Sequence, residues 1–301
     1  MKKQVATTLF NSLLLGITVL VTDGYAKSVN PVVVNGAAKP ATSTEPPPSP
    51  YYGVGLCNNS RYECIKVMPG ETWEKLFPDE EQRDLVQRVN RCYNNLWAGK
   101  IIAVPRDLSH VTMLSLSPFP QKINGEHEKE IIVDQDKLAW GAYDAEGQLV
   151  KWGPIASGRD KCPDSNNVCR TLTGLFRVFS KESKECVSDV FPIGKGGAKM
   201  PYCMFFHKGF ALHGSPDMPG YRASHGCVRM FVNDAKWLNE MFVQISNEAN
   251  HYMGTLVIIR PVTRDGKEYG PAKLAVDSPV SKNALKPKAN QWINPDEVTS
   301  Q

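Results

Sequence analysis

The distribution of apolar positions predicts a mainly β region in the second half of the chain. Short apolar runs separated by turn residues are typical of strands and hairpins, and here they cover residues 131–133, 138–143, 149–155 and 255–260. Between residues 233 and 245 the spacing becomes helical. We expect a helix there, capped by Asn233 or Asp234. Its apolar face would carry Trp237, Leu238, Met241, Phe242 and Ile245.

A second pattern, over residues 58–108, predicts a small β-α-α-β unit. An apolar-alternating start near Tyr62 leads to a Pro69-Gly70 turn, and a strand is expected at residues 101–104. Thr72 is a suitable cap for the first of two intervening helices. The second helix has an apolar face of Leu85, Val86 and Val89.

The remaining segments carry signals for export and for linkers. Residues 1–26 combine two lysines, an apolar run and Gly24-Tyr25-Ala26, the layout of a secretory signal peptide. Residues 27–57 are rich in proline, serine and threonine and predict an extended linker. Residues 109–127 form a polar connector, and residues 263–301 a polar tail. The expected location is the periplasm or cell envelope.

Composition narrows the classes of partner. The hydrophobic content of 42% is enough for a packed core. The formal charge of +4 comes without a run of lysines or arginines, so nucleic-acid binding is not indicated. Loose attraction to an anionic cell envelope is compatible with this charge.

Eight cysteines in an exported chain indicate disulfides. Cys162 and Cys169 lie in a polar segment suited to a local bridge, and Cys186 with Cys203 is the natural second pair, although spacing does not fix the connectivity. If Cys227 is reactive, seven cysteines remain and one of them is free or bridges to another chain. The spacings lack a Cys-x-x-Cys pair, so we expect no metal site and no cofactor.

The stretch LHGSPDMPGYRASHGCVRM places two histidines around a loop that ends in a cysteine. A thiol reacts as the thiolate and needs a nearby base, for which His213 at a strand end is the first candidate and His225 the second. The amides near Gly226 and Cys227 could bind an oxyanion, and Ser224 could orient His225. Arg229 suits a substrate carboxylate. The alternative is a structural thiol with unrelated histidines.

This stretch resembles the active-site motif of the YkuD-type L,D-transpeptidases, and the likeness extends over about residues 130–260. The resemblance implies a β-sandwich catalytic domain, which we place at residues 128–262. It implies Cys227 as the acylated nucleophile, His213 as its base and the Gly214 carbonyl as the group that orients the base. His225 and Gly226 would belong to the oxyanion set. The substrate-binding candidates are Arg229, Ser224 and Tyr221.

Residues 58–108 resemble a LysM module, through Gly70-Glu71-Thr72, Asn90 and the ending from Trp97 to Pro105. This second resemblance implies binding to glycan that contains N-acetylglucosamine. The alternative is a small packing domain that positions its neighbour.

Together the resemblances imply an exported enzyme that acts on the stem peptides of peptidoglycan. The cysteine would expel the terminal D-alanine of a stem tetrapeptide and form a thioester. An amine would then give a 3→3 crosslink or attach an envelope protein, whereas water would give an L,D-carboxypeptidase. A catalytically silent scaffold that binds peptidoglycan is the alternative from a different class.

Overall fold

The computed structural model describes residues 49–124, 128–163, 166–188, 198–264 and 267–269. The predicted signal peptide, the linker up to residue 48 and the tail beyond residue 269 lie outside the described residues. Within the described ranges, no helix has both the length and the apolar character needed to cross a membrane.

The N-terminal part of the described chain contains two paired strands and three short helices. Helix α1 spans Tyr52–Gly55, and strand β1 (Tyr62–Lys66) pairs antiparallel with β2 (Ile101–Pro105). Between these strands lie α2 (Trp73–Leu76) and α3 (Glu80–Val89). The Thr72 hydroxyl caps α2 by accepting from the Lys75 amide, as predicted. That these elements form a LysM-like module stays a prediction.

A mixed sheet of nine strands forms the rest of the fold, in the order β6-β11-β3-β4-β5-β10-β9-β8-β7. Two neighbouring pairs, β11 with β3 and β9 with β10, are parallel, and the others are antiparallel. The strands in chain order are β3 (Glu130–Asp134), β4 (Ala139–Tyr143), β5 (Leu149–Ala156), β6 (Gly174–Arg177), β7 (Ser180–Lys181), β8 (Met204–His207), β9 (Phe210–Gly214), β10 (Val228–Met230) and β11 (Leu256–Arg260).

The sheet curls over one hydrophobic core, and the mainly β fold expected of this domain is confirmed. Phe176 on β6 lies 5.2 Å from Phe206 on β8, measured between ring centroids, although the two strands stand near opposite ends of the strand order. The opposed layers are therefore two halves of one continuous sheet. Inward-facing side chains from strands throughout the sheet, among them Ile131, Ile155 and Leu212, meet in the enclosed core.

The predicted helix is present, but it begins earlier than expected. Helix α4 spans Val232–Trp237, with Phe231 at the N-cap, and a π-helical turn continues it over Leu238–Phe242. The capping role expected of Asn233 or Asp234 is wrong, because Asp234 lies inside the first turn and binds another part of the chain. Met241 is also not on the packed face, since it is 72% exposed.

Two segments expected to lack regular structure contain short elements. The end of the predicted linker forms α1, and a 3₁₀ turn follows at Leu56–Asn58. The start of the predicted tail contributes to a hairpin of β12 (Val262–Arg264) and β13 (Lys267–Tyr269). The connector also packs onto the sheet, because Phe119 is buried against Tyr143 and Trp152.

Six of the eight cysteines form disulfides, and two are free. Cys162–Cys169 and Cys186–Cys203 are disulfides, as expected, and Cys57–Cys64 is a third. Cys92 and Cys227 remain free. Cys92 is fully buried in the N-terminal hydrophobic cluster, so burial protects the spare thiol.

A buried ion pair joins the N-terminal part to the sheet domain. Arg88 on α3 donates from Nη1 and Nη2 to the two carboxylate oxygens of Asp234 on α4, at 2.7 and 3.0 Å. Arg88 is 5% exposed and Asp234 is fully buried. Burial by itself would lower the pKa of Arg88, but the Asp234 and Asp84 carboxylates raise it above its usual value. Lys151 Nζ also approaches Asp234, at 3.3 Å.

We expect Arg88→Ala to lower the free energy of unfolding by about 3 kcal/mol, because removing one partner of a buried pair leaves an incompletely compensated charge. Urea denaturation followed by far-UV circular dichroism would measure the loss. The control is Arg106→Ala, which breaks an exposed pair with Glu63 and should change the stability by at most about 1 kcal/mol. Equal effects of the two substitutions would contradict a structural role for the Arg88–Asp234 pair.

Candidate active site

A cavity of about 220 Å³ opens beside β9 and β10 and collects most of the predicted site residues. His213, Ser224, His225, Cys227 and Arg229 all contribute to its lining. β9 and β10 are parallel, and the loop of residues 215–227 that connects them returns the chain, so that the two histidine motifs meet at one opening.

The parallel register of β9 and β10 sets the positions of the reactive groups. His213 stands opposite Arg229, and Leu212 stands opposite Val228. Residues that are directly paired share a face of a sheet, and so do residues two apart along a strand. Cys227 lies in the turn directly before β10, and it lines the same cavity as His213 and Arg229.

His213 has the protonation state and hydrogen bond that a general base requires. Its Nδ1 lies 2.8 Å from the Gly214 carbonyl oxygen. A carbonyl only accepts, so Nδ1 carries the proton and the Nε2 lone pair of the neutral ring stays available. Burial lowers the pKa of His213 to about 4, partly offset by the Gly214 carbonyl and reinforced by the charge of Arg229. At neutral pH the imidazole is therefore uncharged.

Cys227 rests as a thiol. Its Sγ donates to the Gly209 carbonyl at 3.5 Å, in the turn between β8 and β9. Burial raises the pKa of the Cys227 thiol, while the Ala211 amide and the charge of Arg229 oppose that rise. A raised thiol pKa beside a lowered imidazole pKa disfavours a thiolate–imidazolium pair. The arrangement fits a base that removes the proton during attack.

The turn before Cys227 is closed by Ser224. The Ser224 hydroxyl donates to the Cys227 carbonyl at 2.5 Å and accepts from the Gly226 amide at 3.0 Å. A hydroxyl has one proton, so Ser224 does not donate to His225 in this arrangement. The Gly226 amide is also engaged, which conflicts with its expected role as an oxyanion donor.

Both glycines of the motif are required by close packing. Gly226 has a φ of 131°, a region that other residues rarely adopt, and an added Cβ would lie 2.8 Å from the ring of Phe210. An added Cβ on Gly214 would lie 3.0 Å from the Val232 Cα. Gly226 therefore permits the tight nucleophile turn, and Gly214 permits the approach of α4 behind the base.

Arg229 reaches the cavity while it is held by an acidic residue that sequence reasoning missed. Its Nη1 lies 2.5 Å from Asp217 Oδ2. Asp217 follows His213 by four residues within the same motif. An acidic residue in the loop between His213 and Arg229 was the available signal for this ion pair.

Tyr221, predicted to contact substrate, is not among the residues that line this cavity. Its ring packs against Tyr51 in an edge-on arrangement, with 5.4 Å between the ring centroids. The preceding residue, Gly220, accepts from the Tyr52 amide through its carbonyl. This contact draws the loop towards α1, so Tyr221 borders a different depression, together with Arg222 and Asp160.

Comparison with known proteins assigns this region to a domain type. Residues 128–259 match the family model of YkuD, the L,D-transpeptidase catalytic domain. The match covers the nine-stranded sheet except Arg260, the last residue of β11, and every residue of the cavity named above. It confirms the resemblance for this segment of the chain.

Three of the solved structures that align with this chain are described as L,D-transpeptidases. The protein from Xylanimonas cellulosilytica has 22% identity and a TM-score of 0.42, and the alignment covers 60% of this chain and 79% of that one. The protein from Stackebrandtia nassauensis has 22% identity and a TM-score of 0.37, with 52% and 65% covered. The protein from Enterococcus faecium has 24% identity and a TM-score of 0.34, with 44% and 49% covered. No curated protein sequence matched the chain.

The two pKa shifts predict how alkylation of Cys227 depends on pH. We expect the rate with iodoacetamide to rise continuously from pH 7 to pH 9, with a midpoint above that of an ordinary thiol, because burial raises the pKa of Cys227. His213 is already neutral throughout this range, so it adds no step. Stopped-time alkylation with peptide mapping would measure the rate at Cys227, with glutathione as the reference thiol. A plateau that begins below pH 7 would contradict a neutral resting pair.

Proposed function

We propose that the protein is an exported L,D-transpeptidase that acts on peptidoglycan stem tetrapeptides through a thioester on Cys227. The observation that carries the proposal is the meeting of Cys227, a neutral His213 and Arg229 at one cavity, inside the segment that matches the YkuD domain. The proposal needs no cofactor and no metal.

In the acylation step, the sulfur of Cys227 attacks the carbonyl carbon at the L-centre of the third stem residue. His213 Nε2 takes the thiol proton, and the Gly214 carbonyl holds the ring in the required tautomer. The proton then passes to the leaving amine, and D-alanine departs as the thioester forms. Arg229 is suited to bind a carboxylate of the acyl donor.

In the second step, an amine attacks the thioester and the Cys227 sulfur leaves as the acyl group is transferred. A stem peptide amine would give a 3→3 crosslink, and an amine of an envelope protein would give its covalent attachment. Attack by water would give an L,D-carboxypeptidase instead. We assign His225 to the wall of the cavity near the developing oxyanion, because it follows Ser224 in the nucleophile turn and lines the same opening.

We further propose that residues 58–108 form the LysM-like module and bind the glycan of peptidoglycan. A depression of about 440 Å³ lies between the residues after β1 and those before β2, and Trp73, Tyr93 and Trp97 contribute to its wall. Trp73 is buried and packs in the hydrophobic core of the N-terminal part, whereas Trp97 is 44% exposed. An exposed indole offers a flat apolar face on which a sugar ring can stack.

Export of the chain is part of the proposal. The pattern of residues 1–26 supports a cleaved signal peptide, and three disulfides are compatible with an oxidising compartment. Cys227 must stay reduced there, and the other cysteines are paired or buried.

Incubation of the mature protein with disaccharide-tetrapeptide should release D-alanine and yield a 3→3 linked dimer, as measured by mass spectrometry. We expect Cys227→Ala to abolish both products, because no nucleophile remains. We expect His213→Ala to lower the rate by about 100-fold or more, because the general base is lost. His110→Ala is the matched control, since His110 is exposed and lies in the connector.

The products separate the candidate functions. A tripeptide without dimer would replace transpeptidation by the carboxypeptidase. An unchanged substrate in the presence of wild-type protein, with retention of the protein on intact wall material, would favour the scaffold. Equal rates for His110→Ala and His213→Ala would remove His213 from the mechanism.

Glycan binding makes a separate prediction for Trp97. We expect Trp97→Ala to reduce cosedimentation with purified peptidoglycan by about tenfold, because one stacked aromatic ring contributes energy of that order. Turnover of the small disaccharide-tetrapeptide should stay within about twofold of wild type. Met241→Ala is the control, since Met241 is an exposed apolar residue outside this depression, on the π-helical extension of α4. Retained sedimentation of Trp97→Ala would contradict a binding role for this face.

A further inference from the structure

Two residues outside the segment that matches the YkuD domain contact the loop beside the cavity. This loop, residues 215–219, leaves β9 after the base and carries Asp217. Tyr93 donates from its hydroxyl to the Ser215 carbonyl, and its amide donates to the Met218 carbonyl at 3.3 Å. Asn94 follows Tyr93 and makes two further bonds to the same loop.

Both ends of the Asn94 amide are used. Its Nδ2 donates to Asp217 Oδ1 at 2.8 Å, and its Oδ1 accepts from the Met218 amide at 2.6 Å. The Asn94 main chain is itself fixed, because its carbonyl accepts from Trp73 Nε1 at 2.9 Å. Trp73 belongs to the buried cluster of the N-terminal part. Asn94 is thus a rigid support rather than a mobile surface side chain.

Asp217 connects Asn94 to Arg229, because its carboxylate bonds to both side chains. One carboxylate oxygen accepts from Asn94, and the other accepts from Arg229 Nη1 at 2.5 Å. The Asp217 side chain is 56% exposed, whereas that of Arg229 is 19% exposed. A largely exposed ion pair holds its partners poorly, because water and rotamer freedom compete with it. The bond from Asn94 to Asp217 supplies the restraint that the ion pair lacks, and the bond from the Met218 amide fixes the Asn94 side chain.

We infer that Asn94 is a positioning residue that, through Asp217, holds the Arg229 guanidinium in the cavity beside Cys227 for recognition of a carboxylate on the acyl donor. The inference rests on the proposed function for the identity of that donor. Asp217 occupies one nitrogen of the guanidinium and leaves others for the substrate. The N-terminal part would then set donor affinity in addition to any binding of glycan.

The first test separates donor affinity from the chemical step. We expect Asn94→Ala to raise KM for disaccharide-tetrapeptide by about tenfold, with kcat within about twofold, because a hydrogen bond to a charged group is lost. Asn94→Asp keeps the acceptor for the Met218 amide but places an oxygen against Asp217. It should raise KM at least as much, so it covers the case in which the alanine variant folds poorly. Asn58→Ala, at an exposed asparagine of the same N-terminal part, is the control.

The second test does not depend on the enzymatic activity. A guanidinium beside Cys227 should favour alkylation by anionic iodoacetate relative to neutral iodoacetamide. We expect the ratio of the two rates to fall in Arg229→Ala, and to fall towards the same value in Asn94→Ala and Asn94→Asp. The rate with iodoacetamide alone should stay within about twofold of wild type in the two Asn94 variants. In Arg229→Ala the ratio of the two rates also corrects for the change in the Cys227 pKa that loss of the Arg229 charge causes.

The outcomes are separable. An unchanged alkylation ratio in both Asn94 variants, or in Arg229→Ala itself, would overturn the inference. An unchanged KM in both Asn94 variants of an active enzyme would also overturn it. Absence of turnover in the wild-type protein would remove the proposed function, and the alkylation ratios would still decide whether Asn94 positions Arg229.

Discussion

The parallel pairing of β9 with β10 is the constraint on which the candidate site depends. It places His213 opposite Arg229, and Cys227 directly precedes β10. A shift of this register by one residue would put His213 and Arg229 on opposite faces of the sheet. The strands on either side, β5 and β8, keep the pair central. Sheet hydrogen bonds therefore hold His213 and Arg229, whereas Cys227 in the nucleophile turn and Asp217 depend on loops.

Helix α4 and the N-terminal part support this pair from outside the sheet. The buried Arg88–Asp234 ion pair joins α3 to α4, and Gly214 lets α4 approach the strand that carries the base. Asn94 bonds to the loop that follows His213 along the chain. The N-terminal part is thus ion-paired with α4 and hydrogen-bonded to the loop after β9. The sequence predicts separate domains at residues 58–108 and 128–262. The ion pair and the hydrogen bonds hold the two parts together.

The sequence predicted the features that depend on neighbouring residues, and it missed those that depend on contacts between residues far apart in the chain. Alternation of apolar residues predicted the strands, and the histidine and cysteine spacing predicted the residues of the cavity. The same reasoning assigned Asp234 to a helix cap, because its partner Arg88 lies far away in sequence. It assigned Tyr221 to the substrate, because nothing local shows that α1 draws this loop aside. The curling of the sheet likewise depends on contacts between distant strands such as β6 and β8.

The three disulfides have a consequence for how the chain acquires its native sulfur pairing. Their partners are separated by only 7, 7 and 17 residues, so each bridge can close within a short stretch as it forms. Short loops close at low entropic cost, and they also stabilise the native state less than long ones. The bridges therefore contribute modestly to the stability of the fold. Their larger effect is that six thiols are no longer available to form a disulfide with Cys227. Mispairing with Cys227 during oxidative folding is reduced to an encounter with Cys92, which ends once the N-terminal core has formed.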